Sequence, residues 1–246
     1  MVKKISHIFL LLVLVTGCHK APERSCFKST GNESSLTMPI DGVEEFVLQK
    51  GLKYRIYQDT LNEIVVKGGE NVISFVDFAQ SDSVLAISNK NKCHFFRDAD
   101  REIIVEIHYD HFVKFSGQPT DSVLGMNTLT GERLAFDFEN GAGSLDITVD
   151  VDYLHILIFN GAGDFTARGK VNKKADLTVQ TNAYGDASLL QCPFYFLHDR
   201  STGDMRVNLE SAAADAYVDG TGNILYSGSP LELIIEKSGD GECIPE

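Results

Sequence analysis

The chain has 246 residues, of which 43% are hydrophobic and 9% aromatic, and its formal net charge at pH 7 is −13. This length is enough for one large domain or two small domains with a sizeable core. The acidic balance excludes a typical nucleic-acid binder, because phosphate contacts require a basic patch that this composition does not supply.

The chain begins with Lys3 and Lys4, an apolar run over residues 5–15, and small residues that lead into Cys18. This pattern is typical of a secretory signal, and the run is too short to span a bilayer comfortably. The small residues before a cysteine resemble the lipobox of bacterial lipoproteins, which implies cleavage after residue 17 and a lipid on Cys18. The alternative is an ordinary signal peptide with an incidental cysteine. Residues 1–17 carry two Lys and no acid, so their removal takes the formal charge to −15.

Residues 18–37 are polar, lack periodicity and are rich in Ser, Thr, Lys and Glu. We interpret them as a flexible tether that holds the folded part away from a membrane surface.

Four cysteines follow Cys18: Cys26, Cys93, Cys192 and Cys243. In an exported protein they can pair in three ways, and the sequence does not choose among them. No C-x-x-C spacing is present, so there is no metal or redox signature. We expect at least one of the four to be a buried apolar residue.

Short segments with β character follow in the part from residue 38 to residue 135. The clearest segment is 102–110, in which every second residue falls on one face of the predicted strand, as expected when that face is buried. The residues on this face are Ile103, Val105, Ile107 and Tyr109. No stretch of comparable length shows a helical period. The predicted strand segments are 46–49, 53–57, 63–68, 72–78, 83–88 and 102–110.

From residue 136 to residue 246 a five-residue motif with Gly in fourth place recurs six times. Apolar residues alternate with polar ones after each motif, as in Leu145, Ile147 and Val149. A period near 20 residues predicts a β-solenoid whose coils stack about 4.8 Å apart, with the glycines at corners where they supply unusual backbone angles. A nucleotide-binding loop would occur once, before a helix. The motifs are 140–144, 160–164, 182–186, 200–204, 219–223 and 238–242.

These corners, the preceding IIVEI run and the closing segment from Gly222 to Pro230 resemble the head GIN domain, a family of auto-transporter adhesins of bacterial lipoproteins and surface proteins. The resemblance covers about residues 42–244. It implies a right-handed parallel β-helix made of two similar β-rich parts, a surface or periplasmic location and an adhesive or binding role. It brings no known catalytic residues. The sequence departs from the pattern at Ala183-Tyr184 and Ser201-Thr202, where the first Gly of the pair is missing.

Several residue groups suggest other chemistry. His108 and His111 are separated by three positions and point to opposite faces of a strand, so we favour two surface histidines over a metal site. The segment 198–201 contains the His, Asp and Ser of a hydrolase triad without a nucleophile turn. His155 fits a packed strand histidine better than a ligand. Four aromatic residues could stack on sugars but fit core positions better: Tyr153, Phe159, Tyr195 and Phe196.

Asp164, Asp186 and Asp204 occupy the fifth position of three successive motifs. If their coils are in register they form a ladder of like charges, which is destabilising. Each carboxylate can instead accept a hydrogen bond from its own turn, or a calcium ion can bridge neighbouring coils as a weak cation ladder. Ser144 and Asn223 at the same position favour the turn arrangement.

The sequence thus predicts an all-β, lipid-anchored β-helix of about 20-residue coils in the cell envelope, as an outer-membrane lipoprotein with a periplasmic or surface-exposed domain. We expect a binding or adhesion role, no catalysis, no cofactor and no metal. The expected partners are the membrane, through the lipid, and an unidentified ligand such as a glycan or a protein. The alternatives are a carbohydrate-active enzyme on the same scaffold and a purely structural envelope protein.

Overall fold

The computed structural model describes residues 29–91, 102–111 and 113–246. It is 66% strand and 2% helix and forms a β-solenoid of about seven turns with a spacing near 20 residues. The predicted all-β solenoid is therefore confirmed. Eighteen strands and one helical turn make up the described part, and no helix in it has the length and apolar character needed to cross a bilayer.

The elements in chain order are β1 Glu33–Pro39, β2 Glu45–Leu48, β3 Lys53–Gln58, β4 Glu63–Gly69, α1 Glu70–Ile73, β5 Val76–Ser81, β6 Val84–Asn89, β7 Ile104–Tyr109, β8 Lys114–Gly117, β9 Val123–Glu139, β10 Ser144–Phe159, β11 Asp164–Thr181, β12 Tyr184–Gln191, β13 Phe194–Ser201, β14 Met205–Asn208, β15 Ala213–Val218, β16 Ile224–Ser227, β17 Glu232–Lys237 and β18 Cys243–Pro245.

Each coil contributes one strand to each of two sheets. Sheet I contains β1, β4, β7, β3, the first halves of β9, β10 and β11, and then β12, β14, β16 and β18. Sheet II contains β5, β6, β2, β8, the second halves of β9, β10 and β11, and then β13, β15 and β17. The ladder is continuous because β9, β10 and β11 bend from one sheet into the other. From β9 onward every pairing is parallel.

The core lies between the two sheets and runs along the solenoid axis. Strand alternation places every second side chain inside, so Leu145, Ile147 and Val149 are each 1% exposed. The parallel register stacks equivalent inward residues of neighbouring coils, which buries an apolar column that no single coil could cover. One such column runs from Leu145 through Phe165, Gly185, Met205, Ile224 and Cys243, and it extends in the other direction through Val123.

The corner glycines allow close stacking of backbone on backbone. A Cβ on Gly161 or Gly222 would lie closer than 3.0 Å to the carbonyl oxygen of the glycine in the coil below. Neither residue has a positive φ; in the first two corners the left-handed residues are Asn140 and Asn160, with φ of 55° and 51°. The sequence interpretation that the glycines supply unusual backbone angles is therefore corrected. Asn occupies the left-handed region at these corners because it tolerates that conformation, whereas Gly is needed at the stacked positions because it has no side chain.

The N-terminal end of the solenoid differs from the sequence prediction. Residues 33–37 were expected within the tether, but they belong to β1, which pairs antiparallel with β4. The side chains of β1 are nearly all exposed, so the strand has no apolar pattern to reveal it. Residues 70–73, partly within the predicted 72–78 strand, form α1, whose Val72 and Ile73 are buried.

The predicted division at residue 135 falls inside β9, which runs without interruption from Val123 to Glu139. Residues of this strand pair with β3 and β8 on one side and with β10 on the other. The two β-rich parts therefore share one hydrogen-bonded ladder and one core.

We expect Gly222→Ala to lower the free energy of unfolding by about 2–4 kcal/mol, because the added Cβ would overlap the Gly203 backbone, which cannot shift without disturbing the stacking of the coils. Urea denaturation of the purified chain measures this change. Thr221→Ala is the matched control, since Thr221 is exposed in the same corner and should change the stability by less than about 0.5 kcal/mol. Equal effects of the two substitutions would contradict the stacking explanation.

Candidate functional site

The register does not bring the three predicted carboxylates into one ladder. Asp164 pairs with Tyr184, and Asp186 pairs with Thr166 and Arg206. The corner before β12 is two residues shorter than the sequence alignment assumed, so Gly185 takes the inward position given to Ala187. Asp164, Asp186 and Asp204 therefore do not follow one another in successive coils, and the expected ladder is corrected.

Two of these three aspartates, Asp186 and Asp204, accept hydrogen bonds from backbone N–H groups. Asp186 Oδ1 accepts hydrogen bonds from the backbone N–H and the hydroxyl of Ser188, at 3.0 and 2.6 Å. Asp204 Oδ1 accepts one from the backbone N–H of Asn223 in the next coil, at 2.9 Å. Asp186 therefore makes the turn contact that the sequence favoured, whereas Asp204 bonds across coils instead of within its own turn. Within the described ranges no cluster of three His, Cys, Asp or Glu side chains could hold a metal ion.

The hydrolase-like segment of β13 does not assemble a triad. His198 faces outward and its Nε2 lies 2.8 Å from Asp219 Oδ2, whereas Asp199 and Ser201 face the core and are 0% and 1% exposed. Ser201 Oγ donates to the carbonyl of Gly203 at 2.6 Å rather than to a histidine. Residues that alternate across a strand cannot meet on one face, so this segment lacks the geometry of a nucleophile and its base.

Asp199 is a carboxyl group in an apolar column between Val179 and Val218. Its Oδ1 accepts the backbone N–H of Ser201 at 2.7 Å, and Oδ2 has no hydrogen-bond partner among the described residues. Desolvation by burial raises the pKa of this carboxyl to about 6. The group is therefore a buried, incompletely hydrogen-bonded core carboxyl near a corner, enclosed between neighbouring coils.

The histidines of the other candidate metal site have separate partners. His108 stacks on Tyr57 and its Nδ1 lies 2.7 Å from Asp59 Oδ2. His111 bonds to Asp110 and to the carbonyl of Val43. The side-chain hydrogen bond with Asp110 is the main cause of a raised pKa at His111.

The cysteines show no disulfide in the described part of the chain. Cys192 is buried and Cys243 half-buried, and both are free. Burial raises the pKa of each thiol to about 11, which makes them poor nucleophiles and matches the expected role of a buried apolar residue. Cys18, Cys26 and Cys93 lie outside the described residues.

The outward face of sheet II carries a band that we call the cation–aromatic stripe. Arg133, Tyr153, Lys174 and Phe194 follow one another in successive coils, and Phe196 adjoins them. The Arg133 guanidinium lies 5.4 Å from the centre of the Tyr153 ring, and Lys174 Nζ lies 5.8 and 5.1 Å from the Phe194 and Phe196 rings. Such contacts hold the rings and the cations side by side at the surface.

The stripe changes the assignment of the four aromatic candidates. Tyr195 is fully buried, as the core interpretation predicts. Tyr153, Phe159 and Phe196 are only half-buried and occupy outward positions, so the core interpretation is wrong for them. Phe196 also contacts Tyr217, with ring centres 5.2 Å apart.

His155 is the centre of an ion-pair network beside the stripe. Its Nε2 lies 3.0 Å from Asp137 in the coil below and its Nδ1 lies 3.8 Å from Asp176 in the coil above. The Asp137 carboxylate, and to a smaller extent the Asp176 carboxylate, raise the pKa of His155 to about 9, so the imidazole is charged at neutral pH. Lys114 contacts Asp137 at 2.6 Å and extends the network. His155 is thus a strand residue, as expected, but its side chain pairs with carboxylates at the surface and is not packed in the core.

Sequence inspection missed Arg133, Lys174 and the role of His155 because each was considered within its own strand. Their signal lies in the repeat, since Arg133, Tyr153 and Lys174 are 20 and 21 residues apart. An alignment of the coils at that period places cations and aromatic rings in alternation along one column.

The geometry is thus that of a β-solenoid whose outward face carries the cation–aromatic stripe, and the residues of the 198–201 segment do not assemble a triad. The model of a protein family described as "Putative auto-transporter adhesin, head GIN domain" matches residues 44–230. The chain belongs to this family. No curated protein matches it.

Solved structures show the same fold. A putative adhesin from Bacteroides fragilis has a TM-score of 0.77 at 21% identity, covering 89% of this chain and 99% of its own. A putative adhesin from Parabacteroides distasonis gives 0.62 at 19% identity, with 88% and 99% covered. A protein from the same organism named as a putative lipid binding protein gives 0.57 at 17% identity, with 87% and 97% covered. At these identities the likeness concerns the fold alone.

We expect the stability of the chain to fall as the pH rises from about 6.5 to about 9, because the pKa of His155 is higher in the folded state than its ordinary value. The stabilisation is complete below pH 6.5 and lost once the folded imidazole deprotonates. The side chain is 38% exposed, so solvent screening reduces the effect to about 1 kcal/mol.

Urea unfolding of the wild type and of His155→Gln at pH 6 and pH 9 isolates this contribution. The wild type should lose about 1 kcal/mol more than the variant between the two pH values. His111, whose pKa is also raised, is present in both proteins and cancels in the difference. Parallel losses in the two proteins would show that the network does not favour a charged His155.

Proposed function

We propose that this chain is a lipid-anchored protein of the bacterial cell envelope that binds an envelope or extracellular ligand without catalysing a reaction on it. Membership of a family described as putative adhesins supports the binding role and the envelope location. The observation that carries the proposal is the cation–aromatic stripe, because it concentrates groups that recognise ligands on one face of a rigid scaffold.

A solenoid is well suited to such a role. Each coil is fixed by hydrogen bonds to both neighbours, so outward side chains keep constant spacings along the axis. A rigid display surface limits the entropy lost when a ligand binds. The proposal does not require any outward side chain to act as a nucleophile, and the separation of His198 from Ser201 supports that feature.

The anchor is proposed from the sequence. The basic residues, the apolar run and the small residues before Cys18 together favour a lipoprotein signal, and a lipid on Cys18 would join the domain to the outer membrane. Residues that precede β1 would connect the anchor to the N-terminal end of the solenoid, so the coils would extend away from the bilayer toward the periplasm or the cell exterior.

We expect Cys18→Ala to release the protein from membranes into the soluble fraction, because the lipid is the proposed anchor. Cell fractionation followed by detection of the chain measures this change. Cys26→Ala is the matched control and should stay with the membranes. A Cys18→Ala protein that still sediments with membranes after high-salt washing would contradict the anchor.

A further inference from the structure

We propose that the cation–aromatic stripe binds an acidic glycan, a polymer that contains uronic acid sugars, with the sugar carboxylates at Arg133 and Lys174. The inference rests on the proposed binding function and names the ligand class of the same face.

The two cations of the stripe, Arg133 and Lys174, lack a carboxylate partner within the described residues, unlike two cations beside it. Lys173 pairs with Asp152 at 2.8 Å, and His155 lies between Asp137 and Asp176. Arg133 and Lys174 instead lie against aromatic rings and form no ion pair within the described residues. These two groups are therefore available to an anion, unlike the paired cations beside them.

The rings set the second requirement for the ligand. Tyr153 and Phe194 lie beside the two cations and are half-buried, so part of each ring contacts solvent. A ligand that satisfies both features must present an apolar C–H surface and an anionic group within a few ångströms of each other. Uronic acid sugars have both, because the pyranose ring has an apolar face and carries a carboxylate.

The spacing of the stripe fits a polymer. Arg133 and Lys174 are two coils apart, which corresponds to roughly 10 Å along the axis. This is similar to the length of a disaccharide unit, so a chain lying along the axis can place a carboxylate at each cation. Because Arg133 and Lys173 both lie over the Tyr153 ring, the sugar between them contacts the solvent-exposed part of that ring. Arg133 can bind a carboxylate through two parallel hydrogen bonds.

A shallow cleft supports the same position. It has a volume of about 310 Å³ and is lined by Arg133, Tyr153, Leu154, His155, Lys174 and Asp176. Asp176 and Asp215 occupy the next outward column, where they would repel an anion. These acids restrict the carboxylates to the Arg133 and Lys174 side of the face, which makes the surface directional.

The test uses the full chain purified in detergent and an oligomer of galacturonic acid, with binding measured by calorimetry at low and high salt. We expect saturable binding that weakens with salt. Lys174→Met should weaken it about tenfold by removing one charged contact, and Tyr153→Ala should weaken it by a similar factor. Methyl esterification of the oligomer, which removes its charge and keeps its sugar rings, should also abolish most of the affinity.

Two substitutions on other parts of the solenoid are controls. Lys50→Met removes an exposed cation and Tyr184→Ala removes an exposed ring on sheet I, so neither should change the affinity. Unchanged thermal unfolding of all four variants would show that the fold is intact. Lys174→Met keeps most of the aliphatic stem, so a loss of affinity reports the charge.

The outcomes separate this inference from the proposed function. Absence of binding, equal binding of polyglutamate, binding of dextran sulfate alone, or equal affinities in stripe and control variants would each overturn the glycan inference. Such results would leave the membrane anchor and a role in binding another ligand untouched. If the oligomer binds as expected but is shortened during incubation, the docking site stands and the non-catalytic function is contradicted.

Discussion

The direct stacking of backbone on backbone at the corners determines the rest of the structure. A glycine in one coil lies against the carbonyl of the coil below, as Gly161 does on Gly141 and Gly222 on Gly203. Backbone N–H groups next to these glycines donate hydrogen bonds to carbonyl oxygens of the adjacent coil; for example, Ala162 N donates to Gly141 O at 3.1 Å. Because the corners are this close, the chain turns at the same point in each coil and the strands on either side remain in parallel register.

The register in turn decides what the surface can do. Residues about 20 positions apart become neighbours, so the outward columns of sheet II combine side chains that look unrelated in the sequence. His155 receives its raised pKa from carboxylates one coil below and one coil above. Arg133, Tyr153 and Lys174 alternate cation and ring for the same reason. The proposed ligand surface therefore depends on the stacking, because a shift in the register of one coil would separate the residues that form it.

The sequence predicts the fold well where the apolar pattern is regular and poorly where it is not. The inward residues after each corner, such as Leu145, Phe165 and Met205, are buried as their alternation indicates. The motif at 182–186 was aligned by its glycine, yet Gly185 lies in the core and makes room for the Phe165 ring. Strand β1 was missed because its stability comes from backbone pairing with β4 and its side chains are exposed. The stripe was missed because its members belong to different coils.

The most direct test of this register is a double-mutant cycle between Gly185 and Phe165. A Cβ on Gly185 would lie 2.7 Å from the Phe165 ring, so Gly185→Ala should be destabilising in the wild-type background. Phe165→Leu creates space at that point, and the two substitutions together should be less destabilising than their sum by at least about 1 kcal/mol in urea unfolding. Additive effects would contradict the account, because they would place Gly185 in the corner and away from the core of the coil below.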